Sequence, residues 1–327
     1  MEQSTPYETD LDSNPSDEAE EDSENDEGDI CGIIEADNLT LEEVADDRTV
    51  DVLQCQADGQ SRRWRMSAIM IRPPRPAVAE DEDGDLILPR HPQQATLEIH
   101  GDAFHARPLF NSRLLFRRLA SSNLRYVGLQ LWAGALVLSD FMLARPHLVR
   151  GCHVCELGGG LGLCSIIAAK LGAKTVLCTD GSEPATQNCE DNLRRNLGAE
   201  EHSNRARAAV LQWGPPPSCN LDKVDADDVW AQALSAEVLL AADVIYDAEA
   251  SEDFLNIVDG LLKCGNARAL HLAVEKRICF SSITLRPEVT AYPQFLEGCM
   301  SRGLSVVEVD LMEIPVHFDY VRSRFYE

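Results

Sequence analysis

Between residues 152 and 275 the sequence alternates apolar stretches of strand length with amphipathic stretches of helix length, and few folds accept such a chain. Strands are expected near 152–157, 174–179, 206–212, 237–243 and 268–275, and helices near 162–171, 184–197, 250–263 and 290–301. Ahead of them, Leu131, Ala135, Leu138, Phe141 and Met142 recur at helical spacing, and the helix they define ends before Pro146. Two extended segments, 304–311 and 317–326, close the chain. The alternation implies an α/β fold, a mostly parallel sheet with helices on both faces. Ligands of such sheets bind beyond the carboxyl ends of the strands, so function is sought there.

The first of these strands runs into Glu156-Leu157-Gly158-Gly159-Gly160-Leu161-Gly162, followed at once by an apolar helix. Glycines at a strand-to-helix turn allow positive φ and let a ligand reach the backbone without meeting a Cβ. The spaced glycines, Gly158, Gly160 and Gly162, fall one residue short of the dinucleotide pattern G-x-G-x-x-G, and no P-loop Lys-Ser/Thr is present. Asp180 ends the second strand, where a carboxylate can accept both hydroxyls of a ribose. Glu156 is a poor neighbour for phosphate but a good one for a cationic amino acid or a sulfonium. Together these features favour adenosine without a pyrophosphate, and in particular S-adenosylmethionine.

Further along, Trp213-Gly214 follows the third strand, Asp243-Val244-Ile245-Tyr246 follows the fourth, and Gly128-Leu129-Gln130-Leu131-Trp132 precedes the turn. With Glu156 to Gly162 and Asp180, this set resembles the seven-β-strand methyltransferases, and more narrowly the family 16 protein-lysine methyltransferases. The segment Val274-Glu275-Lys276-Arg277 with Phe280 is most similar to the methyltransferase-like 22 branch. The resemblance covers about 127–325 and implies a Rossmann-like, seven-stranded, mostly parallel sheet and S-adenosylmethionine as cofactor. It also implies site roles. Glu156, Gly158, Gly160 and Gly162 would shape the methionine end, Asp180 would hold the ribose, and Trp213 would cover the adenine. Trp132 and the backbone around Ala242 would complete the pocket. The turn departs from the family in reading Gly-Gly-Gly-Leu-Gly, where relatives often carry a small hydroxyl or alanine and a threonine.

Methyl transfer is an in-line displacement, so a protein must orient a neutral nucleophile and exclude water. A lysine amine is mostly protonated at neutral pH and must first lose a proton. Asp243 and Tyr246 are the expected catalytic pair if the first and fourth strands are neighbours. Asp243 would attract and place the incoming ammonium, and Tyr246 would line an apolar channel and offer its hydroxyl to the amine. Asp247 and Glu249 are expected to be peripheral charges, with a helix N-cap as the plainer role for Asp247.

Charge bears on the partner. The chain of 327 residues carries a net −26, but its first fifty residues hold 19 acidic residues and one arginine, leaving 36 acidic against 28 basic in the rest. Such a balance disfavours a phosphate-neutralising groove, and the Asn/Asp-Pro-Pro-aromatic motif used on exocyclic base amines is absent. The resemblance implies a protein lysine as substrate and the acidic surface suits a basic protein, with a small-molecule methyltransferase or a non-catalytic scaffold as the alternatives. No direct nucleic acid and no membrane are expected, and a monomer in the nucleus or cytoplasm. Residues 1–48 read as a disordered acidic tail, 49–126 as a β-rich extension, and 127–327 as the methyltransferase domain. Within the extension, Asp58-Gly59 suggests a hairpin over 49–70, residues 72–94 a linker, and Ala95 to His100 a short extended piece. Arg107, Arg113, Arg117, Arg118 and Arg125 read as a solvated helix face or an acid-attracting patch. No secretory signal opens the chain and no apolar run reaches about 18 residues. The eleven cysteines are expected to be free thiols, and Cys152-His153-Val154-Cys155 a buried strand rather than half of a metal site.

Overall fold

The computed structural model describes residues 61–74, 109–119, 124–215, 228–276 and 291–320, together with six short strands outside those ranges. Along the chain come β1 (Glu42–Val44), β2 (Val52–Gln54), β3 (Ser61–Met70), the paired two-residue strands β4 (Ala79–Glu80) and β5 (Leu86–Ile87), and β6 (Arg113–Leu119). The expected hairpin is present: β2 pairs antiparallel with β3, from Val52 opposite Arg63 to Gln54 opposite Ser61, although its turn lies outside the described residues. The linker reading for 72–94 is interrupted by the β4–β5 pair. Ala95 to His100 and Arg107 lie outside the described residues, as does the acidic tail apart from β1, which pairs with β3.

Arg113, Arg117 and Arg118 lie on a strand and not on a helix face, while Arg125 falls in the 3-10 turn Leu124–Leu129. β6 runs antiparallel to β3 from Arg113 opposite Met70 to Leu119 opposite Trp64. Its buried residues, Leu114, Phe116 and Leu119, include a two-residue period that puts apolar side chains inward and leaves arginines at the margin. Arg117 stacks 4.1 Å over the Trp64 ring, and Arg118 Nε donates to Ser67 Oγ at 2.8 Å.

The remaining elements are α1 (Ala133–Ala144), β7 (His153–Leu157), α2 (Leu163–Lys170), β8 (Thr175–Asp180), α3 (Glu183–Leu197), α4 (Ala199–Arg205), β9 (Ala206–Val210), α5 (Val229–Ser235), β10 (Val238–Ala242), α6 (Ala248–Cys264), β11 (Ala269–Ala273), the pair β12 (Cys279–Phe280) and β13 (Pro287–Glu288), and α7 (Ala291–Ser301). Five strands form one parallel sheet in the order β11-β10-β7-β8-β9. Alternation along each strand divides the core between its faces. Val154, Val176 and Leu240 pack with Leu136, Ile166 and Leu193 of α1, α2 and α3, whereas Cys155, Leu177 and Leu239 pack with Leu234, Phe254 and Phe295 of α5, α6 and α7. Ile71, Leu114 and Phe116 join the first cluster, so the N-terminal sheet shares the core.

The described sheet holds five strands where seven were expected. Residues 304–310 form no strand and leave Val306 and Val307 48% and 82% exposed, while 321–327 lie outside the described residues. The short helix α5 was not foreseen. Cys155, Cys164, Cys178, Cys189 and Cys299 are buried free thiols and Cys152 a half-buried one, but Cys264 is disulfide-bonded, against the expectation of free thiols throughout. No helix among the described residues is long and apolar enough to cross a membrane.

Candidate active site

The first and fourth strands of the alternation, β7 and β10, are paired neighbours, with Val154 opposite Val238 and Glu156 opposite Leu240. The chain leaves β7 for β8 on one side and returns to β10 on the other, so the strand order reverses at β7. A crevice opens at the carboxyl ends where that happens. Here it is a cavity of about 370 Å³, and its wall contains Trp132, Glu156, Gly158, Gly160, Asp180, Trp213, Ala242, Asp243 and Tyr246. Nine of the ten residues singled out in the sequence therefore meet around one space. The tenth, Gly162, stands behind the wall: it starts α2 with φ 82°, and a Cβ on it would lie 2.5 Å from Cys189 Sγ.

The glycine turn is tight on both sides. Gly158 and Gly160 have φ of 71° and 53°, and a Cβ on Gly160 would sit 2.9 Å from the Gly128 carbonyl oxygen. The turn is pinned by Gly159 N donating to Thr179 O and Gly162 N to Gly159 O, both at 2.8 Å. Behind it the buried Glu156 carboxylate accepts the Ser165 amide at 2.8 Å and the Ser165 hydroxyl, holding the start of α2. Burial pushes its carboxyl upward, opposed by the hydrogen bonds from Ser165. One oxygen of Glu156 thus serves the fold while the residue lines the cavity.

Asp180 closes β8. Its Oδ1 accepts Ser182 N at 2.9 Å and its Oδ2 accepts Gly160 N at 3.1 Å, so the carboxylate is locked to the turn. Burial raises its pKa, against the lowering by those two amides. Across the cavity Trp213 packs edge-on to Phe254 at 5.3 Å and approaches the backbone of Gly158 so closely that a Cβ there would meet Cζ2 at 3.0 Å. The buried Trp213 Nε1 has no hydrogen-bond partner among the described residues. Trp132, just before α1, donates through Nε1 to Val127 O at 2.9 Å, which fixes the indole on the opposite wall.

At the end of β10, Asp243 is 8% exposed and accepts Gly134 N on Oδ2 at 2.7 Å. Tyr246, half-buried, follows it along the same wall. Asp247 takes the plainer role: it is the N-cap of α6, accepting Ala250 N at 2.8 Å. The wall also includes Gln130, Ser182, Gln212 and Asp253, which the sequence did not single out. Gln130 precedes α1 within the 128–132 segment, whereas Ser182 and Gln212, which follow β8 and β9, and Asp253 on α6 carry no local pattern.

The residues present fit S-adenosylmethionine. A glycine cradle that any Cβ would fill, an unpaired buried indole N–H, and a carboxylate at the second strand end are complementary to an adenosine bearing a compact cationic tail. Gly158, Gly160 and Glu156 would hold the tail, Asp180 the ribose, and Trp213 with Trp132 the flat faces.

Comparison with known proteins agrees with this geometry. A family model described as lysine methyltransferase matches residues 117–284. Human methyltransferase-like protein 22 is 32% identical over 237 residues, covering 69% of this chain and 57% of the human protein. The mouse methyltransferase-like protein 22 is 32% identical over 284 residues, covering 77% of this chain and 70% of the mouse protein. Protein-lysine N-methyltransferase EFM3 of Chaetomium thermophilum is 28% identical over 180 residues, 55% of this chain and 48% of that protein. The chain therefore spans less than two thirds of the human and fungal relatives. The family match takes in every strand of the parallel sheet and the whole cavity wall, over just more than half of the sequence, and the chain belongs to the lysine methyltransferase family.

Proposed function

We propose that the protein is an S-adenosylmethionine-dependent protein-lysine N-methyltransferase acting on a basic protein. The observation that carries this reading is that the glycine turn, Asp180 and Trp213 share one cavity wall with Asp243 and Tyr246. A cofactor cradle and an acceptor-binding carboxylate face the same space. When bound, S-adenosylmethionine supplies a methyl group on a sulfonium, an electrophile that needs no further activation. The work left to the chain is placement and proton handling: the ammonium would give one proton to the Asp243 carboxylate, and the neutral amine would then take the methyl. Asp243 draws the lysine ammonium inward and favours an orientation along the cavity, Tyr246 lines the approach and offers its hydroxyl to the amine, and Trp132 excludes water. The N-terminus of α1 stabilises the negative charge on Asp243.

The carboxylates of Asp243 and Asp253 in the wall, with Glu249 exposed nearby on α6, favour a lysine set among basic residues. Nucleus or cytoplasm is the compartment we assign, on the six free thiols among the described residues and against the one disulfide-bonded cysteine, Cys264. The test is transfer of tritiated methyl from S-adenosylmethionine into a lysate of cells lacking the protein, with acid hydrolysis of the labelled product. Label in ε-N-methyllysine is expected. Label confined to small molecules would replace a protein substrate with a metabolite, and absence of cofactor binding would leave a fold kept as a scaffold.

A further inference from the structure

Asp243 is held in an uncommon way. Among the described residues it is one of two non-glycine residues with positive φ, at 55°, where an aspartate is tolerated better than most residues. Its backbone N–H donates to Ala273 O at 2.9 Å, tying it to the end of β11. Its side chain then reaches the amide of Gly134, 109 residues away in sequence. Gly134 is the second residue of α1, and Trp132 at the helix start provides no side-chain cap. The carboxylate at the end of β10 thus supplies the cap that α1 lacks locally. The approach is too close for any side chain on the helix: a Cβ at Gly134 would lie 2.6 Å from the Asp243 Cγ and from both carboxylate oxygens. Gly134 is itself buried and takes no part in the cavity wall.

We infer that Gly134 is a positioning residue for methyl transfer: by lacking a Cβ, it lets the start of α1 seat the Asp243 carboxylate at one point of the cavity. Trp132 is two residues away on the same helix start, so the charge and the aromatic wall are set together. The inference rests on the reading of Asp243 as the group that draws the substrate ammonium. A displacement of the charge by about an ångström weakens its Coulomb energy with a cation about 4 Å away by roughly a fifth, which at an effective dielectric of about 20 is about fourfold in affinity.

The experiment uses two cofactor analogues and needs no protein substrate. Sinefungin carries an ammonium where the cofactor carries its sulfonium methyl, and S-adenosylhomocysteine carries no charge there. Calorimetry gives the ratio of their affinities for the full chain and for variants whose folding is confirmed by thermal melting. Asp243→Asn keeps an acceptor for the Gly134 amide but loses the charge, and its preference for sinefungin is expected to fall about tenfold or more. Gly134→Ala keeps the charge and shifts it, and is expected to lower the preference about threefold to fivefold while S-adenosylhomocysteine binds within about twofold of the native affinity. Should Gly134→Ala not fold, Asp243→Glu displaces the charge from the other side, with the same expectation. An unchanged preference in Asp243→Asn would overturn the reading of Asp243 itself. A loss in Asp243→Asn with full retention in the displaced-charge variant would overturn the positioning role alone. Equal loss of both analogues in Gly134→Ala would also overturn it, showing a cavity that had collapsed rather than a charge that had moved.

Discussion

Asp180 carries two backbone amides on its carboxylate and still has a raised pKa, because burial outweighs them. The raised value means that the folded protein holds this proton more tightly than the unfolded chain. Without cofactor, stability is therefore lost as pH rises from the ordinary aspartate range through the raised value, and regained on acidification. Cofactor binding is expected to run the other way, since ribose hydroxyls would donate to the ionised form. Affinity for S-adenosylhomocysteine is expected to fall as pH drops through the raised value. In Asp180→Asn, affinity at neutral pH should be lower by about 1.5–3 kcal/mol, the worth of hydrogen bonds to a charged group, with this part of the pH dependence removed. Calorimetry from acid to neutral pH checks both, and an unaltered profile in the variant would remove Asp180 from the ribose. This residue and the glycine turn were legible because strand, turn and acidic strand end are local patterns. Ser182, Gln212 and Asp253 were not, because only the fold brings them to the cavity.

Helix α3 binds the N-terminal sheet through three asparagines spaced by four. Asn196 exchanges hydrogen bonds with the backbone of Leu115, and Asn192 and Asn188 with that of Arg117, so side-chain amides stand in for a neighbouring strand along β6. Asn192 also donates to the Leu161 carbonyl at 3.2 Å, inside the glycine turn. One fully buried amide thus joins the extension to the cofactor cradle. Asn192→Leu removes it and leaves the Arg117 amide and the Leu161 carbonyl without this partner. The expected cost is about 2–5 kcal/mol in urea denaturation, with weaker S-adenosylhomocysteine binding in the variant that remains folded. A loss of stability with native affinity would separate the extension from the site. The asparagine spacing was visible in the sequence, but nothing there distinguishes it from a solvated helix face. The same holds for β6, whose arginines masked a two-residue period, and for residues 304–310, which alternate like a strand yet pair with none in the described sheet.

For the whole molecule, the net −26 that first argued against nucleic acid divides between an acidic N-terminus and a mildly acidic remainder. β1 moves the useful boundary. Because Glu42–Val44 pairs with β3, removal of residues 1–41 spares the sheet, whereas a cut at 48 takes a strand from it. Deletion of 1–41 is expected to leave S-adenosylhomocysteine affinity unchanged, while raising KM for a basic substrate at low salt and flattening its salt dependence. An unchanged KM across salt would assign the segment to solubility alone. We propose that one cavity binds the cofactor and presents a lysine to Asp243. That joint role is tested most directly by measuring S-adenosylhomocysteine affinity and tritiated methyl transfer to lysine separately in Asp243→Ala. Binding within about threefold of native is expected, with transfer lowered by about a hundredfold or more, in the range lost with a positioned acid or base. Transfer at the native rate would contradict it.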